Sequence, residues 1–148
     1  MENLDRLYQW LSDEGVFLFD RQLPFSQKGS SAVTVKLNGD DSWGIFLDKG
    51  KLETRAKETT TVGHEAGHYA TGTTHAVCSP FDLIQKHENR ADKWAIRRLI
   101  PKTKLDDAVA EGYTEMWELA DYFGVTEDFM RKAVCLYVHG TLNTELYF

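Results

Sequence analysis

Leu4, Leu7, Tyr8 and Leu11 open the chain at intervals of three and four among polar neighbours. That spacing puts them on one face of a short amphipathic helix ending near Gly15. Three short runs follow, residues 16–20, 32–37 and 43–47, rich in β-branched and aromatic side chains, with turn signals at Asn38-Gly39 and Lys49-Gly50. They predict a small antiparallel sheet. From Thr54 onward the apolar positions take helical spacing, and one long segment runs through Thr73. Ser79-Pro80-Phe81-Asp82 then reads as an N-cap, a proline at the first helical position and a capping carboxylate. The second long helix runs to about Ile100, where Pro101 closes it. Gly112 and Gly124 separate two further helices, and the last one frays after His139. The pattern predicts an α+β chain: a helix, a small sheet, then four or five helices filling the C-terminal half.

The length of 148 residues suits one domain, with residues 1–50 holding the first helix and sheet, 51–100 the two long helices and 101–148 a helical tail. A composition of 42% hydrophobic and 27% charged residues with three prolines is that of a globular protein, without repeats or low-complexity tracts. No apolar run approaches the roughly 20 residues that span a bilayer. The start MENLDRLYQW is acidic where a secretory signal needs a basic flank, so the expected location is cytoplasmic. Cys78 and Cys135 are too few for a disulfide framework and lack the spacing of a structural zinc site; they read as reduced core thiols. A net charge of -6 disfavours broad contact with nucleic acid or anionic lipid and fits a protein or peptide partner better.

The centre of the chain changes the picture from architecture to chemistry. His64-Glu65-Ala66-Gly67-His68 is an HExxH motif inside a helical stretch. Residues four apart share a helical face, so both imidazoles can reach one ion while Glu65 projects beside them as a general base towards a water. Zinc suits such nitrogen and oxygen donors and keeps a fourth position open. The third donor has two candidates. His75 lies seven residues past His68, but Gly72 and the β-branched Thr71, Thr73 and Thr74 signal that the helix is ending there. Metzincin zinc proteases carry their third His six residues after the second, and here it arrives one residue late. Glu88 is the stronger candidate, because it opens Glu88-Asn89-Arg90-Ala91-Asp92 and brings a second carboxylate four residues along the next helix. Asp92 is placed to take the free ring N–H of a ligand histidine and so fix its tautomer. Ala91 and Ala95 on that helix, with Gly63 and Gly67 on the HExxH helix, leave room for close approach.

These residues resemble the ImmA/IrrE family of metallo-endopeptidases, small zinc peptidases common on phages and mobile elements. The resemblance rests on HEAGHYATG and ENRADKWAIRRLIP, more loosely on WELADYFGVTEDF, and covers roughly residues 43–137. It implies a zincin-like fold with the sheet packed on the HExxH helix, a zinc ion held by His64, His68 and Glu88, and a helix-turn-helix repressor as the protein cleaved. The oxyanion partner is left open among Tyr69, His75, His87 and Tyr113, and the strand over residues 43–47 is a candidate free edge for an extended substrate.

Other readings stand beside this one. The segment 119–134 has the form of a helix-turn-helix, yet its would-be recognition helix opens with Glu127 and Asp128, where nucleic-acid contacts call for neutral or basic residues. A helical pair that packs the core or docks a partner fits better. Peptide deformylase also uses HExxH, but with a Cys upstream of the motif, whereas Cys78 lies downstream. A non-catalytic relative with a metal-sensing or structural site is the remaining alternative, and it leaves Glu65 without a role.

Overall fold

The computed structural model describes residues 2–23, 31–37, 41–74 and 80–148; His75, Cys78, the Ser79 cap and the Asn38-Gly39 turn lie outside them. Helix α1 (Asn3–Asp13) buries Leu4, Leu7 and Leu11, the face set by their spacing. Each buried leucine contributes about 2 kcal/mol. Strands β1 (Phe17–Asp20), β2 (Ala32–Lys36) and β3 (Trp43–Leu47) form one sheet, and a 3-10 turn over Lys49–Lys51 leads out of it. The helical remainder comprises α2 (Arg55–Thr71), α3 (Phe81–Leu99), α4 (Lys102–Ala110), α5 (Met116–Phe123) and α6 (Glu127–His139).

The sheet departs from the antiparallel expectation. Its order is β1-β3-β2, with β2 antiparallel to β3 but β1 parallel to it. The physical reason lies in burial. Gly44, Ile45 and Leu47 of β3 are buried, whereas β1 exposes Phe17 and Leu18, so the most apolar strand takes the middle and the chain must cross over to reach it. It follows that β3 has no free edge: both its sides are paired, and among the described residues the outer edges belong to β1 and β2.

Pro80, the expected first helical position, stands instead at the N-cap of α3, which begins one residue later at Phe81. Pro101 likewise precedes α4, and Gly72, Gly124 and Gly140 close α2, α5 and α6 in left-handed conformation. A continuous cluster of buried apolar side chains joins α1, the sheet, α2, α3 and the C-terminal helices. The α5–α6 pair turns Leu119, Ala120, Phe123, Phe129, Met130 and Ala133 into that core, the packing role expected of the helix-turn-helix-like segment. Cys135 is a buried free thiol. No helix among the described residues is long and apolar enough to cross a membrane.

Candidate metal centre

Two helices lie backbone to backbone at the centre of the molecule. A Cβ added at Gly67 of α2 would stand 2.3 Å from the carbonyl oxygen of Ala91 in α3, so the contact admits glycine alone. Ala91 and Ala95 are fully buried against this approach, as their size requires. Thr54 caps α2 by accepting the Lys57 N–H at 3.1 Å, and Gly72 ends it four residues after His68. His64 and His68 therefore sit in its last two turns, facing Glu88 and Asp92.

The donor atoms converge. His64 Nε2 lies 2.6 Å from Glu88 Oε2, His68 Nε2 3.1 Å from Glu88 Oε1, and the two Nε2 atoms are 3.1 Å apart. Donors about 2.1 Å from one tetrahedral ion stand about 3.4 Å from each other, so a small expansion separates this arrangement from a zinc-binding one. The tautomers suit it as well. His64 Nδ1 donates to Asp92 Oδ1 at 2.7 Å and His68 Nδ1 to the Thr73 carbonyl at 2.9 Å, which turns both Nε2 atoms inward. Two imidazole nitrogens and a carboxylate oxygen within reach of one point fit a divalent metal such as zinc.

Charge reinforces the geometry. Burial works against a protonated His64, yet hydrogen bonds to Asp92 and Glu88 outweigh it and push its pKa up to about 10. Burial likewise opposes ionisation of Glu88, but hydrogen bonds from both histidines and their charge hold it well below the usual carboxylate range. Asp92 is lowered in the same way, against burial, by His64 and by Lys132, whose Nζ lies 3.0 Å from Oδ2. Glu65 is buried at 8% exposure, and its side chain accepts a hydrogen bond from Thr34 Oγ1 of β2.

These residues line a cleft of 740 Å³ between β2, α2, α3 and the start of α6. Ser31 to Thr34 form one wall and Thr126, Asp128 and Lys132 the other. The structure thus brings together His64, Glu65, His68, Glu88 and Asp92, and adds three residues that sequence reasoning missed: Thr34, Thr73 and Lys132. Thr73 follows the helix-ending Gly72 by one residue, a local signal for a carbonyl turned back on α2. Thr34 and Lys132 reach the site from 31 and 40 residues away and leave no periodic trace.

Among the described residues, none of the named oxyanion candidates lines the cleft. Tyr69 packs between Trp10 and Trp43 and donates to Glu14, Tyr113 rests on Tyr122, and His87 does not line it; His75 lies outside the described residues. Tyrosine pairs with apolar neighbours readily, so type alone misplaced these residues.

Comparison with known families gives one match, the IrrE N-terminal-like domain, Peptidase_M78, over residues 19–134. No match was found among curated proteins or solved structures.

Proposed function

The chain belongs to the Peptidase_M78 family, a metallopeptidase family, and from that membership and the donor geometry we propose that it is a cytoplasmic zinc-dependent endopeptidase of zincin-like architecture, cutting a helix-turn-helix repressor of a phage or mobile element. The observation that carries the reading is the convergence of His64, His68 and Glu88 in an open cleft with a buried carboxylate, Glu65, alongside. A purely structural metal site has no use for that carboxylate.

When bound, zinc supplies polarisation of the scissile carbonyl and a lowered pKa for an attacking water. The protein does the rest. Glu65 takes the proton of that water and returns it to the leaving amine, with Thr34 holding its carboxylate in one orientation. Asp92 and the Thr73 carbonyl fix the two imidazoles. An extended substrate pairs with the outer edge of β2, which borders the cleft, and not with β3, whose edges are occupied.

The purified protein is expected to carry about one zinc per chain. Elemental analysis should find it lost in His64→Ala and His68→Ala and strongly reduced in Glu88→Ala, with His75→Ala still loaded. Asp92→Ala is milder, lowering affinity roughly ten- to a hundredfold through the unfixed His64 ring. The opposite behaviour of Glu88 and His75 would overturn the third donor. A metal at these nitrogens also competes with the His64 proton. Because its pKa stands near 10, above the ordinary 6.5, stability from the charged cluster is fully present below pH 6.5 and is lost as pH rises through 10. Zinc affinity runs the other way, rising about tenfold per pH unit between roughly pH 7 and 9 as one proton is released. A flat profile in a competition titration would contradict that exchange.

Selectivity follows from charge. The cleft gathers Glu65, Glu88, Asp92 and Asp128 against Lys132, within a chain of net charge -6, which suits a basic DNA-binding partner. Zinc-loaded enzyme is expected to cut the neighbouring repressor at one site, more slowly as salt rises, and to leave casein largely intact. Rapid, unselective digestion of casein with the repressor untouched would defeat the substrate assignment and leave the peptidase assignment standing.

A further inference from the structure

Helix α3 serves three surfaces at once. Ala91, Ala95 and Leu99 face α2, Glu88 and Asp92 face the cleft, and Arg90, Lys93, Trp94, Arg97 and Arg98 fall at helical spacing on a third side. There they border a groove of 480 Å³ completed by Trp10 of α1 and Thr71 of α2. It shares no lining residue with the cleft.

We propose that this groove binds a nucleotide, its base against the indoles and its phosphates on the cations. Four of its seven lining residues are cationic and none is acidic, in a chain whose 17 Lys and Arg are outnumbered by 23 Asp and Glu. Some surface cations are paired with carboxylates, Arg55 with Glu2, Lys102 with Asp106 and Arg131 with Glu127. Among the described residues Arg90, Lys93 and Arg97 have no such carboxylate. Lys93 and Arg97 stand four apart on one helix, a like-charge spacing that costs helix stability. A phosphate group resolves that repulsion, and guanidinium forks match its oxygens in pairs.

The aromatic half of the groove selects a planar ligand. Trp10 and Trp94 lie with ring centroids 5.0 Å apart, tilted at 38°, and the Arg98 guanidinium sits 5.6 Å over Trp10, so a cationic and aromatic surface already exists. Bases stack on such surfaces without regard to sequence. A groove of this volume holds one small ligand. The acidic excess around it opposes an extended nucleic-acid strand, which would run from four cations onto repelling ground. Occupancy also reaches the metal centre: Thr71 Oγ1 is 2.7 Å from Thr73 Oγ1, and Thr73 is the residue that orients His68.

Calorimetric titration of the zinc-loaded full chain with ADP as its magnesium complex tests the assignment. One-to-one saturable binding is expected, weakened about tenfold or more in Lys93→Glu and in Arg97→Glu, each of which loses a charge-assisted contact. Lys102→Glu, a cation outside the groove, should bind as the parent does, and all three should stay folded with the parent's circular dichroism spectrum. Adenosine and inorganic pyrophosphate, each offering half of the recognition, should bind at least about tenfold more weakly than ADP. Absence of saturable heat, equal affinity for pyrophosphate, or indifference to both reversals would overturn the proposal. Tighter binding of a short oligothymidylate or a polyglutamate peptide than of ADP would overturn it too, in favour of a polyanion.

Discussion

Glu65→Gln is expected to retain its zinc and its fold while losing hydrolysis by about a thousandfold, within the range attributed to a positioned general base. The two effects separate because Glu65 is not one of the three converging donors: His64, His68 and Glu88 meet without it. The amide keeps the shape of the carboxylate, and its oxygen can still accept from Thr34 Oγ1 in the buried position Glu65 occupies. What it cannot do is take a proton from water. Repressor cleavage followed by gel, with zinc measured on the same sample, reads both quantities. Cleavage near the parent rate would remove Glu65 as the base.

The second large effect comes from a residue that touches neither metal nor substrate. Gly67→Ala adds a methyl group whose carbon would stand 2.3 Å from the Ala91 carbonyl oxygen and 3.0 Å from Ala91 Cα, both backbone atoms that no rotamer change can move. Alanine's better helix propensity returns at most about 1 kcal/mol. Overpacking against a rigid neighbour costs about 3 kcal/mol or more, so the clash prevails and α2 and α3 must separate. Separation draws Glu88 away from both histidines, and zinc content should fall with the unfolding midpoint. Gly63→Ala is the control: there the added carbon meets Leu99 Cδ1 at 2.7 Å, the end of a side chain that can turn aside, so the loss should be smaller. A Gly67→Ala protein as stable and as zinc-loaded as the parent would refute the close-contact argument.

The difference between what was legible in the sequence and what was not follows the range of the interactions. Helix periodicity is local, so the spacing of Leu4, Leu7 and Leu11 and of His64 and His68 carried over into the structure directly, and Asp92 meets His64 as its place on the next helix suggested. Gly63, Gly67, Ala91 and Ala95 announced a close crossing because small residues on facing helices have few other uses. Strand order is non-local. Three short strands in succession suggested an antiparallel sheet, but the burial of Gly44, Ile45 and Leu47 draws β3 between β1 and β2 and makes one pairing parallel. That rearrangement moved the candidate substrate edge from β3 to β2. Thr34 and Lys132 were invisible for the same reason: a hydroxyl on a strand and an ammonium on the last long helix acquire meaning only once tertiary packing sets them beside Glu65 and Asp92.

The donor set also has a place in time. His64, His68 and Glu88 lie on two helices consecutive in the chain, and the entropy of bringing so near a pair together is small compared with that of bringing in the sheet and α6. During synthesis all three donors, and Asp92 with them, leave the ribosome about forty residues before Lys132 does. A divalent metal held by this donor set would cross-link α2 and α3, the pair on which later elements condense. Lys132 arrives last and holds Asp92, so completion of the chain steadies the carboxylate that orients His64.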